Sequence, residues 1–201
     1  MNGIQTIVFD LGEVLIAGLF GIEVPLAEQL RVPGSTILPA FGGDLLEELC
    51  CARLSEDEYL QRIVNRQGWC VPIDHLKSVI RRNFHRHVPG MQAVLDRLTP
   101  RYELVLLSDH AREWMAYIQM VHSFFHKFRA LFFSYELGQT KSNPTTFALV
   151  LDELGRKAQQ CLFVDDSERN VATARSVGLP SIRFVDSAQL VRQLCRVGLE
   201  L

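Results

Sequence analysis

The sequence predicts an α/β protein built on a doubly wound parallel sheet, with a small helical domain inserted after the first strand. Three observations carry this. Short apolar runs without polar alternation recur along the 201 residues, as strands covered on both faces do. Segments of helical periodicity separate them, the order expected of a parallel sheet with crossover helices. One stretch, residues 17–87, carries helical patterns only.

The first apolar run is Ile4–Phe9. In the insertion, Pro25 opens a helix carrying Leu26 and Leu30, and Pro39 opens another carrying Phe41, Leu45 and Leu49. Ser55-Glu56-Asp57-Glu58 is a capping box that starts a third, with Tyr59, Leu60, Ile63 and Val64 on its apolar side. Asp74 caps a fourth, bearing Leu76, Ile80 and Phe84. Met91–Leu98 is a helix leading to the second strand, Glu103–Leu107, and Ala111–Val121 follows with Trp114, Ile118 and Val121 inward. Ala130–Ser134 is the third strand. Asn143 caps the next helix, which places Pro144 in its first turn and Phe147, Leu151 and Leu154 on one face; Gly155 closes it. After the strand Cys161–Val164 comes the helix Ser167–Val177, striped by Val171, Ala174 and Val177 and stopped by Gly178. Ser181–Val185 is a weaker fifth strand. The pattern divides the chain into a core domain, 1–16 and 88–201, and a helical cap domain, 17–87, of the kind that closes over a ligand.

Composition narrows the function. Against 23 acidic residues stand 21 Lys and Arg, a formal net charge of −2. That balance excludes the broad basic surface of a nucleic-acid binder. No apolar run approaches the ~18 residues of a spanning helix. The stretch up to Leu19 lacks a basic start and is broken by Asp10 and Glu13, so neither a membrane segment nor a signal peptide is expected. The cysteines are Cys50, Cys51, Cys70, Cys161 and Cys195. An odd count without CxxC spacing predicts the reduced thiols of a cytoplasmic protein, not a disulfide framework or a zinc site. The sequence leaves the oligomeric state open.

In open α/β sheets, ligands bind beyond the carboxyl ends of the strands. The first strand ends in Asp10, the second in Ser108 and Asp109, and the fourth in Asp165 and Asp166, while the loop after Phe133 carries Lys141. Each alone has an ordinary explanation: an Asp after a strand turns the chain or caps a helix, and most lysines are solvated. Together they form a set at one rim. Two adjacent carboxylates at a buried strand end repel unless a cation offsets them. Such a set suits phosphoryl transfer through a carboxylate, which attacks phosphorus to form an acyl phosphate. A divalent cation bridges the like charges, and Mg2+ prefers hard oxygen ligands of this kind. A lysine and a hydroxyl then hold the remaining phosphate oxygens.

Four segments, in order, carry a resemblance: Phe9-Asp10-Leu11-Gly12-Glu13-Val14-Leu15, Leu106-Leu107-Ser108-Asp109, Leu137-Gly138-Gln139-Thr140-Lys141 with Asn143-Pro144, and Phe163-Val164-Asp165-Asp166-Ser167-Glu168-Arg169-Asn170. Over nearly the whole chain the sequence resembles the haloacid dehalogenase (HAD)-like hydrolase superfamily, whose core is Rossmann-like, in its phosphatase branch with a helical type 1 cap. The resemblance implies roles. Asp10 is the nucleophile and a Mg2+ ligand, Gly12 offers its carbonyl to the metal, and Asp166, with Asp165 beside it, completes the acidic ligands. Ser108, Asp109 and Lys141 hold the phosphate, and Asn170 supports the site.

The chain departs from the family pattern at Gly12, where the phosphatases usually carry a second Asp as general acid and base; bacterial sugar-1-phosphate phosphatases are similar in having Gly there. Asp109 stands in place of the commoner Asn, and Ser142 in place of Pro. The expected activity is Mg2+-dependent hydrolysis of a small phosphorylated metabolite, a sugar phosphate among the candidates, through an aspartyl-phosphate intermediate. A catalytically weak or non-catalytic domain that binds phosphate, metal or a partner is the alternative. A 2-haloacid dehalogenase ranks last, because those enzymes place an aromatic residue where Gly12 sits. Lys77–His87 is a basic run, read either as a solvated helix face or as a source of Arg82 or Arg86 for an anionic substrate.

Overall fold

A computed structural model describes residues 3–201. Residues 1 and 2, where the expected core begins, lie outside the described residues. The strands are β1 (Thr6–Phe9), β2 (Glu103–Ser108), β3 (Ala130–Phe133), β4 (Cys161–Asp165) and β5 (Ser181–Arg183). All pair in parallel in one five-stranded sheet of order β3-β2-β1-β4-β5.

Alternation along the strands explains the burial of both faces. Ile7, Phe9, Leu104, Leu106, Leu162 and Val164 point to one side and join a large apolar cluster; Val8, Val105, Leu107 and Phe163 point to the other. Helix α9 (Pro144–Glu153) covers the second face with Phe147 and Val150, and α10 (Glu168–Ser176) adds Ala174. The first face is covered by α6 (Met91–Leu98), α7 (Arg112–Val121) and α11 (Ser187–Arg196). The last of these was not anticipated from sequence. A short helix α8 (Ser134–Leu137) follows β3 where a loop was expected.

Between β1 and α6 the chain is helical: α1 (Glu23–Leu30), α2 (Ile37–Phe41), α3 (Asp44–Cys50), α4 (Glu56–Gln67) and α5 (Ile73–Phe84). The capping box at Ser55 forms as expected, with the Ser55 side chain and Glu58 serving each other's backbone N–H. The helix expected from Pro39 is instead two. Gly42 is extended and Gly43 has a φ of 72°, which breaks the run, while Phe41, Leu45 and Leu49 all remain buried. Pro25 and Pro39 lie inside the first turns of α1 and α2 rather than opening them; the N–H each lacks has no intrahelical partner there. Asp74 likewise lies in the first turn of α5, behind Pro72.

The chain leaves the sheet and returns to it side by side. Ala17 donates to the carbonyl of Arg86 at 2.8 Å and Val88 to that of Leu15 at 3.0 Å, and Ile16 and His87 form an antiparallel bridge. The helices of the insertion do not stand apart from the sheet: Leu26, Phe41, Tyr59 and Phe84 belong to the same apolar cluster as Phe9, Met91 and Trp114. All five cysteines are free thiols, and no helix among the described residues is long and apolar enough to cross a membrane.

Candidate active site

Asp10 follows directly on the central strand, and its N–H extends the ladder to the Val164 carbonyl at 2.9 Å. Parallel strands all end on one side, so Ser108 at the end of β2 and Asp165 at the end of β4 flank it despite their distance in sequence. Lys141 comes from the loop between α8 and α9. That loop is held from within: Asn143 N–H and Thr146 Oγ1 both donate to the Thr140 carbonyl, at 3.0 and 2.7 Å. The Lys141 N–H itself donates to both carboxylate oxygens of Asp109 at 3.1 Å. The side chain, 1% exposed, carries its ammonium to Asp10 Oδ1 at 2.6 Å and Asp165 Oδ2 at 2.7 Å.

One ammonium thus faces the carboxylates of Asp10, Asp109, Asp165 and Asp166. Burial pushes Asp10 well above the usual carboxylate range; Lys141 opposes this, and Asp165 and Asp166 reinforce it. Burial also pushes Asp109 up to about 6 against the pull of Lys141. Asp166 is raised by burial and by Asp165. For Lys141, burial pulls down, but Asp10, Asp165 and Asp109 outweigh it and hold the ammonium above its ordinary value.

The donor set suits a hard divalent cation. Asp10, Asp165 and Asp166 each present an oxygen, all within 4.8 Å of one another. Asp165 is fully buried and committed: besides Lys141 it accepts from Ser167 N–H at 2.8 Å and from Asn170 Nδ2 at 3.2 Å to each oxygen. Asp166 is half-buried, borders a cavity and has no ion-pair partner among the described residues. Excess negative charge on hard oxygens around one gap is what Mg2+ binds.

The two other expected phosphate contacts, Asp109 and Ser108, also have protein partners of their own. Asp109 borders the cavity, and its carboxylate also fixes the Lys141 backbone, so it helps place the lysine. Ser108 is fully buried, and its Oγ lies 2.7 Å from His110 Nδ1. His110 is a site residue that sequence reading missed. A Cβ built on Gly12 would lie 3.3 Å from its Cε1 and 3.8 Å from its Nε2, so a side chain at position 12 would press against the imidazole. Burial lowers His110 to about 3, which leaves the ring neutral, and it borders the cavity. Glu13, at a φ of 57°, turns its carboxylate back to accept from the N–H groups of Gly18 at 2.8 Å and Phe20 at 3.2 Å. This latches the loop that leads into the helical insertion.

Above the carboxylates the cavity encloses about 330 Å³. Its upper wall comes from the loop after β1, from α2, α5 and α7: Leu19, Phe20, Leu38, Phe41, Phe84 and Trp114. Neither Arg82 nor Arg86 borders it. Both are exposed, and Arg86 donates to Asn83 Oδ1 at 3.0 Å, so these two arginines lie on a solvated face. Asn83 in turn donates to the carbonyls of Gly18 and Phe20 at 2.7 and 2.8 Å.

A family model described as haloacid dehalogenase-like hydrolase matches residues 4–178. Among curated relatives, bifunctional epoxide hydrolase 2 of Rattus norvegicus is 33% identical over 79 residues, 39% of this chain and 14% of that protein. Phosphoglycolate phosphatase of Xanthomonas campestris is 37% identical over 46 residues, 23% of this chain and 21% of that protein. The chain thus spans between about a seventh and a fifth of the length of these relatives. Among solved structures, a predicted HAD-like family hydrolase from Porphyromonas gingivalis superposes with a TM-score of 0.78 at 22% identity, over 99% of this chain and 100% of that one. A HAD-family enzyme from Bacteroides thetaiotaomicron, in complex with magnesium and inorganic phosphate, gives 0.74 at 21% identity over 94% and 99%.

Proposed function

Because the chain belongs to the haloacid dehalogenase-like hydrolases, we propose that it is a Mg2+-dependent phosphomonoesterase of small phosphorylated substrates that works through an aspartyl-phosphate on Asp10. The observation that carries this reading is the Asp10–Lys141–Asp165–Asp166 cluster at the floor of a cavity. Asp10, Asp166 and the Gly12 carbonyl would hold the cation, which when bound supplies the positive charge that lets a phosphate dianion approach a carboxylate.

An Asp10 oxygen attacks phosphorus, the bond to the alcohol oxygen breaks, and the phosphoryl group resides on Asp10 until water takes it as inorganic phosphate. Lys141 turns one ammonium to the nucleophile and to the phosphoryl oxygens, where charge accumulates. Asp109 and Asp165 fix that lysine by its two ends, and Asn170 fixes Asp165. Ser108 sets the His110 ring through Nδ1. With the Ser108 hydroxyl as donor, Nε2 carries the hydrogen and donates to the departing oxygen, holding its charge until solvent supplies the proton. In this way His110 takes the ground that a carboxylate at position 12 occupies in related phosphatases. Residues 17–87 act as a cap that walls off the reacting centre from water.

The test is hydrolysis of p-nitrophenyl phosphate with and without Mg2+. Asp10→Asn keeps the shape and removes the nucleophile, so turnover should fall by at least ~10³-fold, and beryllium fluoride should be trapped on Asp10 in the wild type. Undiminished turnover in the Asn variant, or in excess chelator, would remove the reading.

A further inference from the structure

Apart from the carboxylates, His110 and Lys141, much of the cavity lining is apolar. Leu19, Phe20, Leu38, Phe41, Phe84 and Trp114 form it. Among the described residues that border the cavity, the polar side chains are either at the reacting centre or already engaged. Glu13 accepts from Gly18 and Phe20, Asn170 donates to Asp165, and the Trp114 N–H donates to Glu56 at 2.8 Å. Lys141 is the one Lys or Arg at the cavity. The basic residues of α5 are elsewhere: Arg81 grips Glu56 through two hydrogen bonds at 2.7 and 2.6 Å, Lys77 pairs with Asp57, and Arg82 and Arg86 are exposed.

A substrate is therefore met at one end by the phosphate machinery and at the other by hydrocarbon. The hydroxyls of a sugar would lie against that wall without partners, each costing the desolvation of an unpaired polar group. A second phosphate or a carboxylate would find no cation. An apolar alcohol gains by burial instead.

Resting on the phosphatase reading above, we infer that this site selects phosphate monoesters of apolar alcohols, aryl or hydrocarbon, over sugar phosphates and doubly anionic metabolites. The products are the apolar alcohol and inorganic phosphate. Phe20, 60% exposed, lies on the same wall, where an apolar chain first meets the protein.

The experiment uses the full chain with Mg2+ and a series of 4-alkylphenyl phosphates from methyl to pentyl, in which the leaving phenol keeps nearly the same acidity while its hydrocarbon grows. The kcat/KM should rise about two- to fourfold per methylene until the cavity is full. The nearly isosteric 4-(hydroxymethyl)phenyl phosphate should fall about tenfold below the 4-ethyl ester, and glucose 1-phosphate should be hydrolysed more slowly than any of the series. In a Phe20→Asn/Leu38→Asn variant the slope should flatten whatever the absolute rate. A flat slope in the wild type, or glucose 1-phosphate as the better substrate, would overturn the inference and leave the phosphatase reading standing. A slope that persists unchanged in the variant would overturn the assignment of this wall. Failure to hydrolyse any of these esters would overturn both.

Discussion

Gly12 and His110 meet at the floor of the candidate site. Gly12→Asp on its own pushes a side chain into the imidazole, 3.3 Å from the new Cβ, so activity should drop. The double variant Gly12→Asp/His110→Ala clears the space, and rates across esters of rising leaving-group pKa should then fall less steeply than in the wild type. The acid pair is also separable. Asp166→Ala should raise the Mg2+ concentration for half-activation with little change in Tm. Asp165→Ala strands Lys141, Ser167 N–H and Asn170 and should lower Tm as well. A third expectation concerns pH. The unfolded His110 binds its proton near 6.5 and the native ring only near 3. Between these values the unfolded state holds more protons, so stability falls as pH falls. Urea unfolding of His110→Gln should show a flatter acid limb over that range. The carboxylates and Lys141 were legible because each ends an apolar run or follows one. His110 was not, since no spacing marks it and only the fold brings it against Gly12. The commitment of Asp109 to a backbone N–H was equally invisible.

At the scale of elements, the junction of α4, α5 and α7 turns on one buried carboxylate. Glu56, 3% exposed, accepts from both ends of the Arg81 guanidinium and from the Trp114 indole at 2.8 Å. Removing it leaves two donors without partners. Glu56→Ala should cost about 3 kcal/mol in denaturant unfolding, and because Trp114 is part of the cavity wall, KM should rise more than kcat falls. Glu56→Gln, which keeps an oxygen for the indole, should recover part of both. The capping box that opens α4 was plain in the sequence; the use of its second residue as an anchor was not, because Arg81 is its partner across two helices. The same limit split the helix expected after Pro39. The apolar spacing of Phe41, Leu45 and Leu49 is helical, yet Gly42-Gly43 re-aims the chain between them so that three buried side chains meet the core from two directions.

Across the whole molecule, the insertion and the sheet share one apolar cluster, with Phe84 and Trp114 rings 5.6 Å apart across the junction. They should therefore unfold as a unit. Fluorescence of Trp69 in the insertion, read in a Trp114→Phe variant, should give the same midpoint as far-UV circular dichroism; an earlier transition at Trp69 would mean that the insertion melts alone. The alternation of strand and helix was enough to predict a parallel sheet, but strand order depends on contacts between segments that share no local signal.

That order has a consequence for how the chain is made. β1 is synthesised before both of its neighbours, β2 and β4, with Thr6 opposite Glu103 and Cys161. At roughly 5–20 residues per second, about eight to thirty seconds separate the appearance of Asp10 from that of Asp165. Throughout that interval the run Thr6–Phe9, wholly buried in the finished sheet, has one flank or both without a partner strand. The strand that leads to Asp10 therefore needs shelter on the ribosome, and an interruption of synthesis before β4 would leave it as an open edge for association with other chains.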